Sequence, residues 1–288
     1  MASRVAPPET PVRARAESET GTGGSDLSVE LGNIPEGHPR RKSLELRERL
    51  VAAVEAGLAH PSGLIAHGRG EAFDYLLGER TVPEAEAASK AAVEVLLAAK
   101  DPVVSVNGNA AALAAAALSA LQASVNGKRM GRAPLTLEAN VFHAGDARVR
   151  RIVEVLEEAG GEGVLGRERG ARIPGLASHR ALCAKEGIFK ADAVLVPLED
   201  GDRAEALKAM GKVVLAVDLN PLSRTAVAAH ITVVDNLVRA LPQMAELARR
   251  FDRMPHKGPK ALAKAFDNKA NLAAVKRRIA ANLGAQEG

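Results

Sequence analysis

The densest chemistry in the chain lies in Gly63-Leu64-Ile65-Ala66-His67-Gly68-Arg69-Gly70-Glu71-Ala72-Phe73-Asp74-Tyr75 and its continuation to Thr81. A histidine precedes two glycines that flank an arginine, and Glu71, Asp74 and the chain's one tyrosine follow at helical spacing. Glycine lets backbone approach a ligand, and a glycine-flanked turn opening a helix presents free N–H groups and the positive end of the helix dipole. The expected guest is an anion. Gly68-Arg69-Gly70 starts like a dinucleotide fingerprint, but Phe73 stands where the third glycine would allow tight helix packing, so no nicotinamide or flavin site is read from it.

Further candidates follow short apolar runs. Val103-Val104-Ser105-Val106 is followed by Asn107 and Asn109, Val196 by Glu199-Asp200-Gly201-Asp202-Arg203, Val217 by Asp218-Leu219-Asn220, and Val234 by Asp235-Asn236. Arg47, Arg69 and Arg224 supply forked donors suited to phosphate or carboxylate, while Asp218, Asn220 and Asn236 supply acceptors and donors for ribose or base edges. Such a set suits a nucleotide. Two unit charges about 4 Å apart at an effective dielectric near 20 interact by about 4 kcal/mol, so each arginine matters when two anions must be brought together. Any one of these residues has a plainer reading as well: Asn and Asp favour turns and caps, Asn109 could cap a helix, and His67 could be satisfied within a turn.

The elements that would position these groups alternate. Ser43 is expected to cap a helix with apolar positions Leu44, Leu50, Val51, Val54 and Leu58, and a second helix is expected from Pro83 to Ala99. Strands are expected at 103–106, 135–142, 193–196, 213–217 and 231–234, with helices at 109–121, 147–159, 203–210, 223–229 and 236–250. This βα alternation predicts an α/β fold, a parallel sheet flanked by helices. In such a sheet the carboxyl ends of the strands share one edge, and ligands bind there.

Composition bounds the rest. The chain has 288 residues, 47% hydrophobic and 26% charged, enough for a substantial core. Residues 1–32 are rich in Pro, Glu, Ser, Thr and Gly and are expected to be a disordered extension; 33–252 form the main domain, including an N-terminal helical region. Residues 253–288 form a basic helical tail expected to pack on or near it. That tail carries eight basic and two acidic side chains and residues 1–32 three and five, so the two ends together account for the net charge of +4. With Phe266 as its one aromatic it reads as a solvated helix face, and no nucleic-acid partner is expected.

The sequence contains no unbroken run of 18 apolar residues and no apolar secretory core at its start, so no membrane partner and a cytoplasmic location are expected. Cys183 is the single cysteine and the seven histidines are scattered, so neither a disulfide nor a protein-built metal site is expected.

Several longer segments carry a specific likeness. Asn33-Ile34-Pro35 with His38-Pro39-Arg40, the stretch 63–81, 102–109, Arg172-Ile173-Pro174-Gly175-Leu176, 196–203, Asp218-Leu219-Asn220-Pro221-Leu222-Ser223-Arg224 and Val234-Asp235-Asn236 resemble the archaeal phosphopantothenate synthetases, the 4-phosphopantoate–β-alanine ligases. The resemblance spans about residues 33–252. It implies a homodimeric, Rossmann-like ligase of coenzyme A biosynthesis that uses ATP, with Mg²⁺ accompanying the nucleotide, and takes 4-phosphopantoate and β-alanine. Carried onto matching positions, it implies ATP contacts at Arg47, Arg69, Asp218, Leu219, Asn220, Arg224, Thr225, Asn236 and Leu237.

For the chemistry, His67, Arg69, Asn107 and Arg224 are the candidates. An anionic carboxylate resists amine attack, so an AMP-forming ligase is expected to make an acyl adenylate first, by positioning and charge neutralisation. Asp200 and Asp202 are possible helpers for Mg²⁺. A non-catalytic nucleotide-binding dimer and a pantoate kinase-like phosphotransferase are the competing readings.

Overall fold

The computed structural model describes residue 35 and residues 37–141, 145–177 and 179–285. The extension expected at 1–32 lies outside the described residues. Three helices come first: α1 (Arg41–Glu55), α2 (Ser62–Leu77) and α3 (Pro83–Ala98). Then β1 (Pro102–Val106), α4 (Gly108–Lys128), β2 (Thr136–Ala139) and α5 (Asp146–Glu158) begin the alternation. A small antiparallel ribbon, β3 (Ala171–Arg172) with β4 (Leu182–Cys183), leads to β5 (Ala193–Pro197), α6 (Gly201–Ala209), β6 (Val213–Val217), α7 (Arg224–Ala228), β7 (Ile231–Val233) and α8 (Leu237–Arg250). The tail forms α9 (Pro259–Ala265) and α10 (Asn268–Gly284).

The five long strands make one parallel sheet in the order β2-β1-β5-β6-β7. From β1 the chain goes outward to β2, then returns to β5 and proceeds the other way, so the order reverses between β1 and β5. Crevices form at such a switch point, because the crossover helices leave it on opposite faces. Strands β1, β5, β6 and β7 are buried along their whole length, which is why they read as largely apolar runs, broken only by the small hydroxyls of Ser105 and Thr232. Their side chains still alternate. Val104, Leu195, Leu215 and Ile231 join the core under α3, α4 and α8, while Val103, Val194, Val196 and Val214 face Ile188, Ala204 and Leu207.

Local signals account for most helix boundaries. Pro83 opens α3 with Glu84 and Glu86 in its first turn, where the helix dipole favours acids. Asn107 and Asn236 cap α4 and α8, accepting from Ala110 N–H at 3.0 Å and Val238 N–H at 3.2 Å. Gly78, at φ 83°, closes α2 in the left-handed region. By length and composition α4 could cross a bilayer, but 61% of its apolar window is buried inside this fold, much of it against α8 and α5.

Three expectations are corrected. Ser43 does not cap α1; it lies inside that helix, and its hydroxyl donates to Glu71. The glycine pair at 68 and 70 does not open a helix either, because α2 already starts at Ser62 and runs through both. No helix dipole is therefore centred on Arg69. The cap of α4 is Asn107 rather than Asn109, whose amide instead donates to Gly63 carbonyl at 2.9 Å.

The tail is tied down by side chains. Asn268 accepts from Thr232 N–H at 2.9 Å, Asn271 donates to Thr232 carbonyl at 2.9 Å, and Arg278 forks onto Glu84 with both contacts at 3.0 Å. At the other side of the sheet, Glu138 is fully buried in β2 and accepts from Ala184 N–H at 2.9 Å and Ile188 N–H at 2.6 Å. A Cβ on Gly187 would lie 2.0 Å from Glu138 Oε2, so only glycine lets this loop close onto the carboxylate. Burial pushes the Glu138 pKa up against the pull of those two N–H groups. The anchored segment carries Arg180 to the sheet edge.

Candidate active site at the carboxyl edge of the sheet

A cavity of about 870 Å³ lies across the carboxyl ends of the parallel strands. Its wall includes His67, Arg69, Asn107, Asp218, Leu219, Asn220, Arg224, Thr225, Asn236 and Leu237, so every candidate named from the sequence lines it except Arg47. Neighbouring strands lie about 4.8 Å apart, so from the end of β2 to that of β7 the edge extends about 19 Å. That length admits a nucleotide and a small acid side by side.

Close backbone approaches shape the floor. A Cβ on Gly108 would sit 2.2 Å from Leu58 carbonyl oxygen, and one on Gly201 would sit 2.2 Å from Arg224 Cβ. Both glycines follow a strand and open a helix, so their lack of a side chain brings α4 against the α1–α2 turn and α6 against α7. Asn107 joins the two strands at the switch point: its Oδ1 caps α4, and its Nδ2 donates to Pro197 carbonyl at 3.3 Å and Leu198 carbonyl at 2.8 Å.

At the β6–β7 end the polar groups are held by one another. Asp218 Oδ1 accepts from Asn220 N–H at 2.9 Å and its Oδ2 from Ser223 hydroxyl at 2.5 Å. Burial raises its pKa, opposed by those bonds and by the nearby charge of Arg69. Ser223 Oγ also accepts from Ala226 N–H at 2.9 Å, capping α7, and Thr225 hydroxyl donates to Glu199 carbonyl at 2.6 Å. Leu219 presents an aliphatic wall beside Gly70, suited to carrying a base in a chain with so few aromatic rings.

Asn236 is fixed from below. Its Nδ2 donates to Asp74 at 2.9 Å, and Arg239 bridges Asp74 and Asp235, both nearly fully buried. Thr81 hydroxyl donates to the second oxygen of Asp235 at 2.6 Å. Asp74, singled out in the sequence for its helical spacing, therefore supports the site from the second row.

Arg69 and Arg224 project from α2 and α7, and Arg224 pairs with Glu205 at 2.9 Å where both are exposed. Such a pair is worth little in water and releases its arginine readily to a phosphate. Arg47 faces elsewhere, forking onto Glu71 at 2.8 to 3.1 Å. His67 lies one helical turn before Glu71. Burial lowers its pKa, opposed by Glu71 and reinforced by Arg47, so the imidazole is neutral near pH 7 and can accept or donate one hydrogen bond.

Sequence reasoning missed part of the wall. Asn140 and Val141 follow β2 at the same edge, and Arg148 of α5 and Arg180 join them. The position of Asn140 after an apolar run was a usable signal, the same one that identified Asn107. Nothing in the spacing of Arg148 or Arg180 marks them, since long-range packing alone brings them in. Among the described residues no group of three or more His, Cys, Asp or Glu side chains converges as a metal site.

A sequence profile for the phosphopantothenate/pantothenate synthetase family matches residues 84–282. A 4-phosphopantoate–β-alanine ligase of Thermococcus kodakarensis is 48% identical over 259 residues, covering 89% of this chain and 96% of the relative. Relatives of the same name from Thermococcus onnurineus and Methanosarcina mazei are 52% and 46% identical, covering 76% and 88% of this chain and 81% and 96% of their own lengths.

Proposed function

The chain belongs to the phosphopantothenate/pantothenate synthetase family, and we propose that it condenses 4-phosphopantoate with β-alanine at the expense of ATP, giving 4′-phosphopantothenate, AMP and diphosphate for coenzyme A synthesis. The observation that carries this reading is the gathering of nucleotide-type and anion-type residues on one cavity at the switch point of the sheet.

In this mechanism the nucleoside lies at the β6–β7 end, where Asp218 and Asn220 meet its hydroxyls and Leu219 its base. Arg69 and Arg224 draw the polyphosphate inward. An oxygen of the phosphopantoate carboxylate attacks the α-phosphorus, the bond to the β-phosphate bridging oxygen breaks, and diphosphate leaves. The neutral amine of β-alanine then attacks the acyl carbon. The acyl–oxygen bond breaks, AMP departs with the former carboxylate oxygen, and the ammonium proton is lost to solvent or a neighbouring base. Positioning and charge neutralisation supply the rate, and no covalent enzyme intermediate is needed.

Neutral His67 can donate to a developing phosphate charge without a proton being transferred. Bound with the nucleotide, Mg²⁺ would neutralise the polyphosphate. It is commonly held by one or two carboxylates plus phosphate oxygens, and Asp200 and Asp202 are exposed acids in the wall, paired with Arg180. A cytoplasmic homodimer completes the reading.

The test is a quenched reaction of the protein with ATP, Mg²⁺, 4-phosphopantoate and β-alanine, read by mass spectrometry. Equal amounts of AMP and phosphopantothenate support the reading. Formation of ADP without an amide product refutes it.

A further inference from the structure

The cavity has a second polar end whose groups are unused by the fold. Arg203, in α6, is 1% exposed, and its Nη1 donates to Glu199 at 2.6 Å, yet its Nε and Nη2 are buried with no hydrogen-bond partner among the described residues. Arg148, in α5, lines the same wall, and its Nε is likewise buried and unpartnered among those residues. Asn140 is 2% exposed; its Nδ2 donates to Leu182 carbonyl at 2.8 Å, while its Oδ1 accepts from no group among the described residues.

A buried donor left unmade is costly, and more so when it carries charge. One orphan is tolerable in a fold, but several orphans of complementary type in one wall point to a missing guest. The donors are the Nε–Nη2 edge of Arg203 and the Nε of Arg148, which match the tetrahedral oxygens of a phosphate, and the acceptor suits a hydroxyl or amine beside it. These groups sit at the ends of β2 and β5, across Asn107 from Asp218 and Asn236, so they lie away from the nucleotide end of the cavity.

We propose that Arg148 and Arg203, with Asn140 beside them, form the subsite that grips the phosphate of the acid substrate. This rests on the ligase reading for the identity of the acid. A phosphate held at the β2–β5 end leaves the carboxylate at the other end of its short carbon chain directed toward Asn107 and the middle of the cavity, where the α-phosphorus must lie. The subsite therefore selects a phosphorylated acid over the free one and sets the direction in which it enters.

The experiment compares wild type with Arg148→Ala and Arg203→Lys. Arg148 is half-buried and makes no ion pair among the described residues, so its truncation leaves folding intact; Arg203→Met, which strands Glu199, serves only as a third variant. For each, separate KM values are measured for phosphopantoate, ATP and β-alanine, together with the preference in kcat/KM for phosphopantoate over pantoate, and inorganic phosphate binding is measured by calorimetry. The expected result is a KM for phosphopantoate raised about tenfold or more, the factor that 1.4 kcal/mol gives, with the other two KM values unchanged and the preference for phosphopantoate over pantoate reduced. Phosphate binding weakens in parallel. An unchanged KM for phosphopantoate, or a rise confined to β-alanine or ATP, overturns the subsite while leaving the ligase reading intact. If wild type forms no phosphopantothenate, the calorimetry still decides: phosphate bound by wild type and lost in Arg148→Ala supports the subsite, and equal binding in both overturns it.

Discussion

Asn107 donates its side-chain amide to the carbonyl of Leu198 at 2.8 Å, and Leu198 holds a φ of 53° in the left-handed region that a branched residue seldom occupies. The strain sits in the cavity wall, between β5 and α6, and a side chain from the end of β1 holds it there. The switch point is thus clamped by one amide with two duties, a donor across the strands and a cap for α4.

Asn107→Ala should lose both duties. The missing cap costs about 1 kcal/mol and the stranded Leu198 carbonyl about 1–3 kcal/mol. Asn107→Asp keeps the cap acceptor but has nothing to donate. Thermal unfolding should rank wild type above Asp and Asp above Ala, with activity reduced in both variants. An Asp variant as stable as wild type would show that the Leu198 bond contributes nothing.

Asp74 should matter to both stability and nucleotide affinity. It is buried, receives Arg239 and holds Asn236. Asp74→Ala leaves the half-buried Arg239 guanidinium with Asp235 alone, at a cost below the about 3–5 kcal/mol of a fully unpaired buried charge. Urea unfolding measures that loss, and an accompanying rise in the KM for ATP is expected because Asn236 is released. A normal ATP KM in the folded fraction would separate Asn236 from the nucleotide.

His230 should make the fold acid-sensitive. Burial lowers its pKa from the usual 6.5, and its Nδ1 accepts from Val214 N–H at 3.1 Å. The unfolded chain then binds a proton more readily than the folded one below about pH 6.5, so stability is fully present above that pH and declines as pH falls. His67 is shifted in the same direction and adds to the slope. In His230→Asn, whose amide oxygen can accept the same bond, the decline of unfolding free energy between pH 6.5 and 5 should be shallower, roughly as linkage requires. Identical slopes in variant and wild type would remove His230 from the account.

Gly108→Ala should damage the site by crowding. The new methyl group would meet Leu58 carbonyl oxygen, a backbone atom that cannot step aside. Overpacking costs about 1–3 kcal/mol, and here it forces α4 away from the α1–α2 turn. Reduced stability with a raised KM for both ATP and phosphopantoate is expected; Gly68→Ala, which meets nothing within 4 Å, is the control.

The βα alternation was legible because four strands are buried on both faces and each ends in a short polar turn; Val213–Val217 followed by Asp218 is an example. The same regularity exposed most of the cavity, since the carboxyl-edge rule needs only the strand ends. Arg47 stands apart from the cavity lining, because helix packing brings it onto Glu71. The glycines at 68 and 70 misled, because a helix begun at Ser62 absorbed them despite their poor propensity. The β3–β4 ribbon and the turns after it have two-residue strands and no period to read. Their place depends on Glu138, which reads as an ordinary polar position in a strand until its two buried N–H partners are seen.

The most direct test of the central claim follows one oxygen atom. 4-Phosphopantoate labelled with ¹⁸O in both carboxylate positions is turned over with ATP, Mg²⁺ and β-alanine, and the AMP is weighed by mass spectrometry. Attack of the carboxylate on the α-phosphorus predicts AMP carrying one ¹⁸O and diphosphate carrying none. Unlabelled AMP, or label appearing in diphosphate or inorganic phosphate, would contradict the adenylation this cavity is read to perform.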